Sequence, residues 1–260
     1  MMRLDVFLVE NGYFESREKA KNEVLAGNVL VNERRLKPSD PVKKDAIIRV
    51  IAKMAYVSRG GYKLAKARDA FDIDVQDKVC LDIGASTGGF TDVMLQSGAK
   101  LVYAVDVGYG QLHYRLRQDD RVVVMERTNA RNLSRGLFSE QPEFASMDVS
   151  FISILLILPK LPEILPRNAK VMALIKPQFE AERGQVGKNG VVRDAKVHAE
   201  VIKKVQAGAK EAGLYLEQLD FSPITGPEGN VEFISLFGFC PGAYQVDIEE
   251  VVKAAHKHKF

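Results

Sequence analysis

The stretch Val79-Cys80-Leu81-Asp82-Ile83-Gly84-Ala85-Ser86-Thr87-Gly88-Gly89-Phe90 constrains the fold more than any other part of the chain. A short apolar run meets an acid, then a glycine turn, then residues that open a helix near Phe90. This is a strand–turn–helix unit, in which bare backbone comes close to a ligand. The glycine spacing selects among nucleotide-binding turns. A dinucleotide turn needs G-x-G-x-x-G, and a Walker loop needs Gly-Lys-Ser/Thr at its end. Here Gly84 is followed by Gly88 and Gly89, with no such lysine. The next apolar run, Leu101 to Val105, ends in Asp106, an acid at a strand tip that can accept hydrogen bonds from ribose hydroxyls. Together these features read as a nucleoside site without a pyrophosphate clamp.

Five apolar runs have the length and β-branched content of buried parallel strands: Val79–Leu81, Leu101–Val105, Val122–Met125, Phe144–Met147 and Val171–Ile175. Helical patterns lie between several of them, so right-handed crossovers and a sheet covered on both faces are expected. Asp194 to Ala212 reads as a long amphipathic helix ending at Gly213. Leu214–Phe221 and Glu232–Phe239 read as two closing strands around Thr225-Gly226-Pro227-Glu228-Gly229-Asn230. The tail from Val251 to Phe260 reads as a short basic helix. The expected architecture is an α/β, Rossmann-like domain with a seven-stranded, mostly parallel sheet.

A smaller unit precedes it. Leu4, Phe7 and Leu8 recur at helical spacing with Gly12 behind them. Ser16 is an N-cap for a second helix that Gly27 ends. Val29–Asn32 and Ala46–Val50 read as short strands, Ile51 to Arg59 as a connector, and Tyr62 to Phe71 as the first helix of the larger domain. The boundaries expected are 1–55, a linker over 56–61, and 62–260. Charge follows the same division: residues 1–60 hold 12 Lys/Arg against 8 Asp/Glu, while residues 61–260 hold 25 against 26. A basic segment ahead of a near-neutral domain suits a polyanion-binding module that positions the substrate. Cys80 and Cys240 lie in apolar runs and are expected to be buried free thiols of a cytoplasmic protein. The longest apolar run, Phe151 to Leu158, is too short to span a bilayer. His113, His198, His256 and His258 form no ligand spacing; surface positions are expected for all four, and no metal is required.

Two resemblances follow from these residues. Arg3-Leu4-Asp5-x-x-Leu8, Ser16-Arg17-x-x-Ala20 and Gly27-x-Val29-x-Val31-Asn32 match the signature of the S4 RNA-binding domain. Asp82 to Phe90 resembles the D-x-G-x-x-P-G-G-aromatic turn of the FtsJ-type ribose 2′-O-methyltransferases, class I enzymes that use S-adenosylmethionine; Thr87 stands in the proline position. Ser58-Arg59-Gly60-Gly61-Tyr62-Lys63, Asp148, Lys176-Pro177-Gln178-Phe179-Glu180 and Gly229-Asn230-Val231-Glu232 match the Lys-Asp-Lys-Glu tetrad of those enzymes. Over its whole length the chain resembles the TlyA family of rRNA cytidine-2′-O-methyltransferases, also known as haemolysin A. The resemblance implies Lys63, Asp148, Lys176 and Glu232 as catalytic residues, with Lys176 as general base. It implies Asp82, Gly84, Ser86, Thr87, Gly88, Gly89, Phe90, Asp106, Asn129 and Asp148 around S-adenosylmethionine. Arg3, Arg17, Lys19, Lys21, Arg35, Lys37 and Arg59 are expected to contact RNA. The implied partner is ribosomal RNA within ribosomal subunits, and a monomer is favoured.

Position alone supports part of this assignment. Ligands of open α/β sheets bind beyond the carboxyl ends of the strands, and those ends carry Asp82, Asp106, Glu126 to Asn129, Asp148 and Lys176. A ribose hydroxyl is a weak nucleophile, so its methylation benefits from a base and from close alignment. A lysine can act as that base only once it has lost its proton, which burial and a second cation favour and neighbouring carboxylates oppose. The glycine-punctuated stretch Glu180 to Arg193 is either a lid over the target nucleotide or a surface excursion. Two other readings compete with the enzyme: an S4-tethered ribosome-assembly factor with an inactive cofactor domain, and a membrane-lytic haemolysin.

Overall fold

A computed structural model of the chain describes residues 2–25, 27–50, 54–242, 245–258 and 260. It divides into two compact units, Met1–Ala55 and Tyr56–Phe260. In the smaller unit, α1 (Leu4–Glu10) and α2 (Arg17–Leu25) pack over two antiparallel pairs. β1 (Met2–Arg3) pairs with β3 (Pro41–Val42), and β2 (Val29–Val31) pairs with β4 (Ile48–Val50). Leu4, Leu8, Ala20, Val24, Val29, Val31 and Val42 form its core, which is the helical and alternating spacing of the sequence made physical. Ser16 Oγ accepts from the Lys19 backbone N–H, the expected cap. Part of the expected connector, Ile51–Lys53, and Ala26 beside the α2 terminus lie outside the described residues.

The larger unit carries one seven-stranded sheet. Its strands are β5 (Val79–Ile83), β6 (Leu101–Val105), β7 (Val122–Met125), β8 (Phe144–Met147), β9 (Lys170–Ile175), β10 (Tyr215–Phe221) and β11 (Phe233–Gly238). Their spatial order is β10-β11-β9-β8-β5-β6-β7. β5 to β9 pair in parallel, and β11 enters antiparallel between β9 and β10. The helices are α3 (Gly61–Phe71), α4 (Gly89–Gln96), the short α5 (Tyr114–Arg117), α6 (Leu161–Ile164) and α7 (Pro177–Glu180), then α8 (Ala195–Glu211) and α9 (Ile248–Lys257). Two apolar clusters cover the two faces of the sheet. The reversal of strand order between β5 and β8 opens a crevice at their carboxyl ends, where the chemistry sits.

Several expectations change. Residues 56–61 are not a linker. Tyr56 and Val57 pack on the α3/α4 core, and Asp92 of α4 accepts from the Val57 N–H at 2.8 Å. Cys240 is exposed, because Pro241-Gly242 follows it and β11 has already ended at Gly238; Cys80 is buried as expected. His198 is fully buried on the apolar face of α8. α9 begins at Ile248, before the expected tail helix, with the Asp247 carboxylate capping it. Among the described residues no helix is long and apolar enough to cross a membrane.

Candidate active site

The glycine turn fixes the floor of the site. Gly84 has φ +83°, and a Cβ there would lie 2.4 Å from the Asp148 carbonyl oxygen, so only glycine lets the ends of β5 and β8 meet. At Gly89 a Cβ would fall 2.7 Å from the Gly61 nitrogen, so the start of α4 can sit against the start of α3. Gly88, at φ +94°, turns the chain into α4 and packs under Leu112 and Leu116. Gly89 therefore sets the approach of α3, which carries Lys63.

Two adjoining cavities flank this turn. The larger, about 820 Å³, is lined by Lys63, Phe90, Asp148, Lys176, Gln178 and Glu232, with Ser58, Arg59, Thr87 and Gly89 also on its wall. The smaller, about 370 Å³, is lined by Asp106, Asn129, Val107, Ala130, Ile152 and their neighbours. Gly84, Ser86 and Asp148 border both. Asp106 is oriented by the glycine turn and by its own loop: Oδ2 accepts from Ser86 N–H at 2.8 Å and Oδ1 from Gly108 N–H at 2.7 Å. Asn129 Oδ1 caps the turn that follows β7 by accepting from Arg131 N–H.

Asp82 stands apart from this set. β5 runs one residue past it, and its carboxylate is fully buried behind the turn, accepting from Thr91 Oγ1 at 2.6 Å and Ser146 Oγ at 3.1 Å. Burial pushes its carboxyl up to about 7, against the pull of those two hydroxyls. It braces α4 against β8 and touches neither cavity.

Lys63, Asp148, Lys176 and Glu232 converge in one buried row. Lys63 Nζ donates to Glu232 Oε2 at 2.5 Å and lies 3.7 Å from Asp148 Oδ2. Lys176 Nζ lies 2.5 Å from Asp148 Oδ1 and donates to Ser150 Oγ at 3.0 Å. Side-chain exposure is 9 % for each lysine, 2 % for Glu232 and 20 % for Asp148, so the carboxylate between the two ammonium groups is the most open of the four. Burial pulls the Lys63 ammonium down, but Asp148 and Glu232 together outweigh it and hold Lys63 above its ordinary value. Lys63 is thus a fixed cation. The row comes from four separate elements: α3, the end of β8, the end of β9 and the residue before β11.

Residues outside the expected set complete the rim. Phe151 is 92 % exposed, carries φ +64° and lies 5.1 Å from the Phe179 ring. A bulky residue in the left-handed region is held there by its surroundings. Glu180 is buried and accepts from Ser153 Oγ and Ile154 N–H, which ties α7 to the loop bearing Phe151. Burial raises its carboxyl above the ordinary value, and the two donors restrain that rise. The Glu180–Arg193 stretch forms two short turns, Arg183–Gln185 and Lys188–Gly190. Asn230 pins it by donating to Gly190 O and accepting from Val192 N–H.

In the smaller unit, Arg3 and Arg17 converge on Asp5, whose buried carboxylate is held down at about 2, chiefly by the Arg3 hydrogen bond. Both guanidiniums remain about half exposed. Lys19 pairs with Glu15, and Lys21, Arg35 and Lys37 are exposed.

Residues 56–239 match the family model for FtsJ-like methyltransferases, and residues 2–48 match that for the S4 domain. The Bacillus subtilis protein YqxC is 52 % identical over 98 % of this chain and 94 % of its own length. The 16S/23S rRNA (cytidine-2′-O)-methyltransferase TlyA of Mycobacterium tuberculosis is 44 % identical over 89 % of this chain and 87 % of its own. A solved structure from Streptococcus thermophilus, 50 % identical, gives a TM-score of 0.77 over 98 % of this chain and 95 % of that one. The chain belongs to the FtsJ-like methyltransferase family, whose methyl donor is S-adenosylmethionine, and carries an S4 domain ahead of the catalytic unit.

Proposed function

We propose that this protein methylates the 2′-hydroxyl of a cytidine in ribosomal RNA, with Lys176 as general base. The observation that carries the reading is the Lys63–Glu232 and Lys176–Asp148 row, set in the wall of a cavity that shares Gly84, Ser86 and Asp148 with a nucleoside-sized pocket. The relatives' substrate, named for TlyA of Mycobacterium tuberculosis, supplies rRNA and cytidine.

S-adenosylmethionine, when bound, supplies an electrophilic methyl group on a sulfonium. The residues present fit it: Asp106 is aimed and keeps free lone pairs for ribose hydroxyls, Val107, Ala130 and Ile152 give an apolar slot, and Asp148 offers negative charge between the two cavities. The target 2′-hydroxyl then sits beside Lys176. As general base, Lys176 would take the proton of that hydroxyl, freeing its oxygen to accept the methyl group the donor would supply. Asp148 and Ser150 orient the Lys176 nitrogen. Lys63, fixed as a cation by Glu232, stabilises negative charge growing on the oxygen. The exposed Phe151 ring offers a face for a nucleotide unstacked from RNA.

The test is transfer of labelled methyl from S-adenosylmethionine to ribosomal subunits, with mapping of ribose methylation. Transfer that disappears in Lys176→Arg, with donor binding retained, supports the base, since guanidinium cannot accept the proton. Strong activity in that variant would remove Lys176 from the base role. No transfer by the wild type would leave the protein a binding factor.

A further inference from the structure

We infer that Gln178 reads the exocyclic amine of the target base and so separates cytidine from uridine at the active site; this rests on the cytidine reading above. Gln178 is the second residue of α7, two positions after Lys176, and lines the larger cavity with Lys176, Phe179 and Glu232. Its amide has a defined direction. Glu232 accepts only, so the Gln178 NH2 group is the end that faces it, with Nε2 3.4 Å from Glu232 Oε1. The carbonyl end is turned away from the carboxylate. That Oε1 is buried and finds no hydrogen-bond donor among the described residues.

A buried acceptor without a donor is costly, and in a cavity wall it selects for a ligand that brings one. The donors of an internal cytidine are few. Its 3′ and 5′ oxygens are esterified, and its 2′-hydroxyl gives its proton to Lys176. The remaining donor is the exocyclic N4 amine. Uracil has a carbonyl at that position, which would set acceptor against acceptor. Gln178 is therefore bonded to a tetrad residue at one end and offers a base-reading oxygen at the other. The same geometry links base identity to the placement of the ribose.

The experiment uses the full-length protein and ribosomal subunits from a strain lacking it. The methylated nucleotide is mapped, then supplied as cytidine or, by mutating the rRNA, as uridine. The wild type is expected to favour cytidine by about tenfold or more in kcat/KM. Gln178→Met, similar in length but without an acceptor oxygen, is expected to bring that ratio to within about threefold, chiefly through loss on cytidine. Gln178→Glu keeps an oxygen at the same reach and is expected to retain the preference at a lower rate, because it faces Glu232. An unchanged ratio in Gln178→Met, or equal losses on both nucleotides, would overturn the inference. Equal losses would mean that the amide serves the ribose or Glu232. Absence of ribose methylation by the wild type would overturn the functional reading and this inference with it.

Discussion

Replacing Lys63 with methionine strands the Glu232 carboxylate in a site where only 2 % of its side chain meets solvent. The 2.5 Å ion pair is removed, and Gln178 at 3.4 Å is the neighbour that remains. Removing one partner of a buried pair costs about 3–5 kcal/mol, most of it the uncompensated charge. Lys176→Met is the contrast. Asp148 is 20 % exposed and keeps Lys63 at 3.7 Å, so its loss costs about 1–2 kcal/mol. The assay is hydrogen exchange of the slowest β9 and β11 amides, which reports the larger unit alone. Exchange at pH 7 is expected to speed up by a few hundredfold in Lys63→Met. Adding Glu232→Gln should return about 2–3 kcal/mol. A penalty below about 1 kcal/mol, or no recovery on adding Glu232→Gln, would refute the account of a buried, charged pair.

Asp106→Ala is expected to weaken S-adenosylmethionine binding by about 1.5–3 kcal/mol in calorimetry, because it removes the aimed carboxylate and frees the Ser86 N–H; unchanged affinity would exclude Asp106 from the ribose site. Affinity of the full chain for rRNA should fall steeply with salt, and replacing Lys21, Arg35 or Lys37 by an uncharged residue should flatten the log–log slope by about 0.7–0.9 for each phosphate the protein no longer neutralises. Arg17→Ala should in addition lower the melting point of the smaller unit, since Asp5 loses a partner. Burial depresses His198 below its ordinary 6.5, so the folded chain disfavours the imidazolium and unfolding takes up a proton. Stability from this residue is present above 6.5 and lost as pH falls from there to the depressed folded value; a His198→Gln variant should show a flatter stability profile across that window in urea titrations.

The parallel strands themselves were legible, because short apolar runs bounded by turn residues and alternating with helical patterns leave few other readings. Asp106, Asp148 and Lys176 followed from strand ends. Lys63 and Glu232 did not. Each reaches the row through packing between distant segments: the approach of α3 to α4 permitted by Gly89, and the antiparallel entry of β11. Local periodicity contains neither, and only family likeness supplied them. Asp82 is hard to place because a strand's last acid and its last but one look alike in sequence, yet alternate residues point to opposite faces. His198 had a readable signal, lying three and four positions before Val201 and Ile202 on the apolar face of α8. Phe151 had little. Its exposure comes from a left-handed backbone turn, which sequence marks reliably only when glycine occupies it.

The 169 residues that separate Lys63 from Glu232 have a consequence for biosynthesis. Closing so long a loop makes the pair a late event in folding, and β11 leaves the ribosome after β1 to β10. The smaller unit, complete within the first 55 residues, is made long before it. A chain arrested after β10 would carry its basic module, its glycine turn and three members of the row, yet leave Lys63 without the carboxylate that fixes it. Closure of the row is therefore withheld until β11 has been made, whereas the smaller unit is complete long before it.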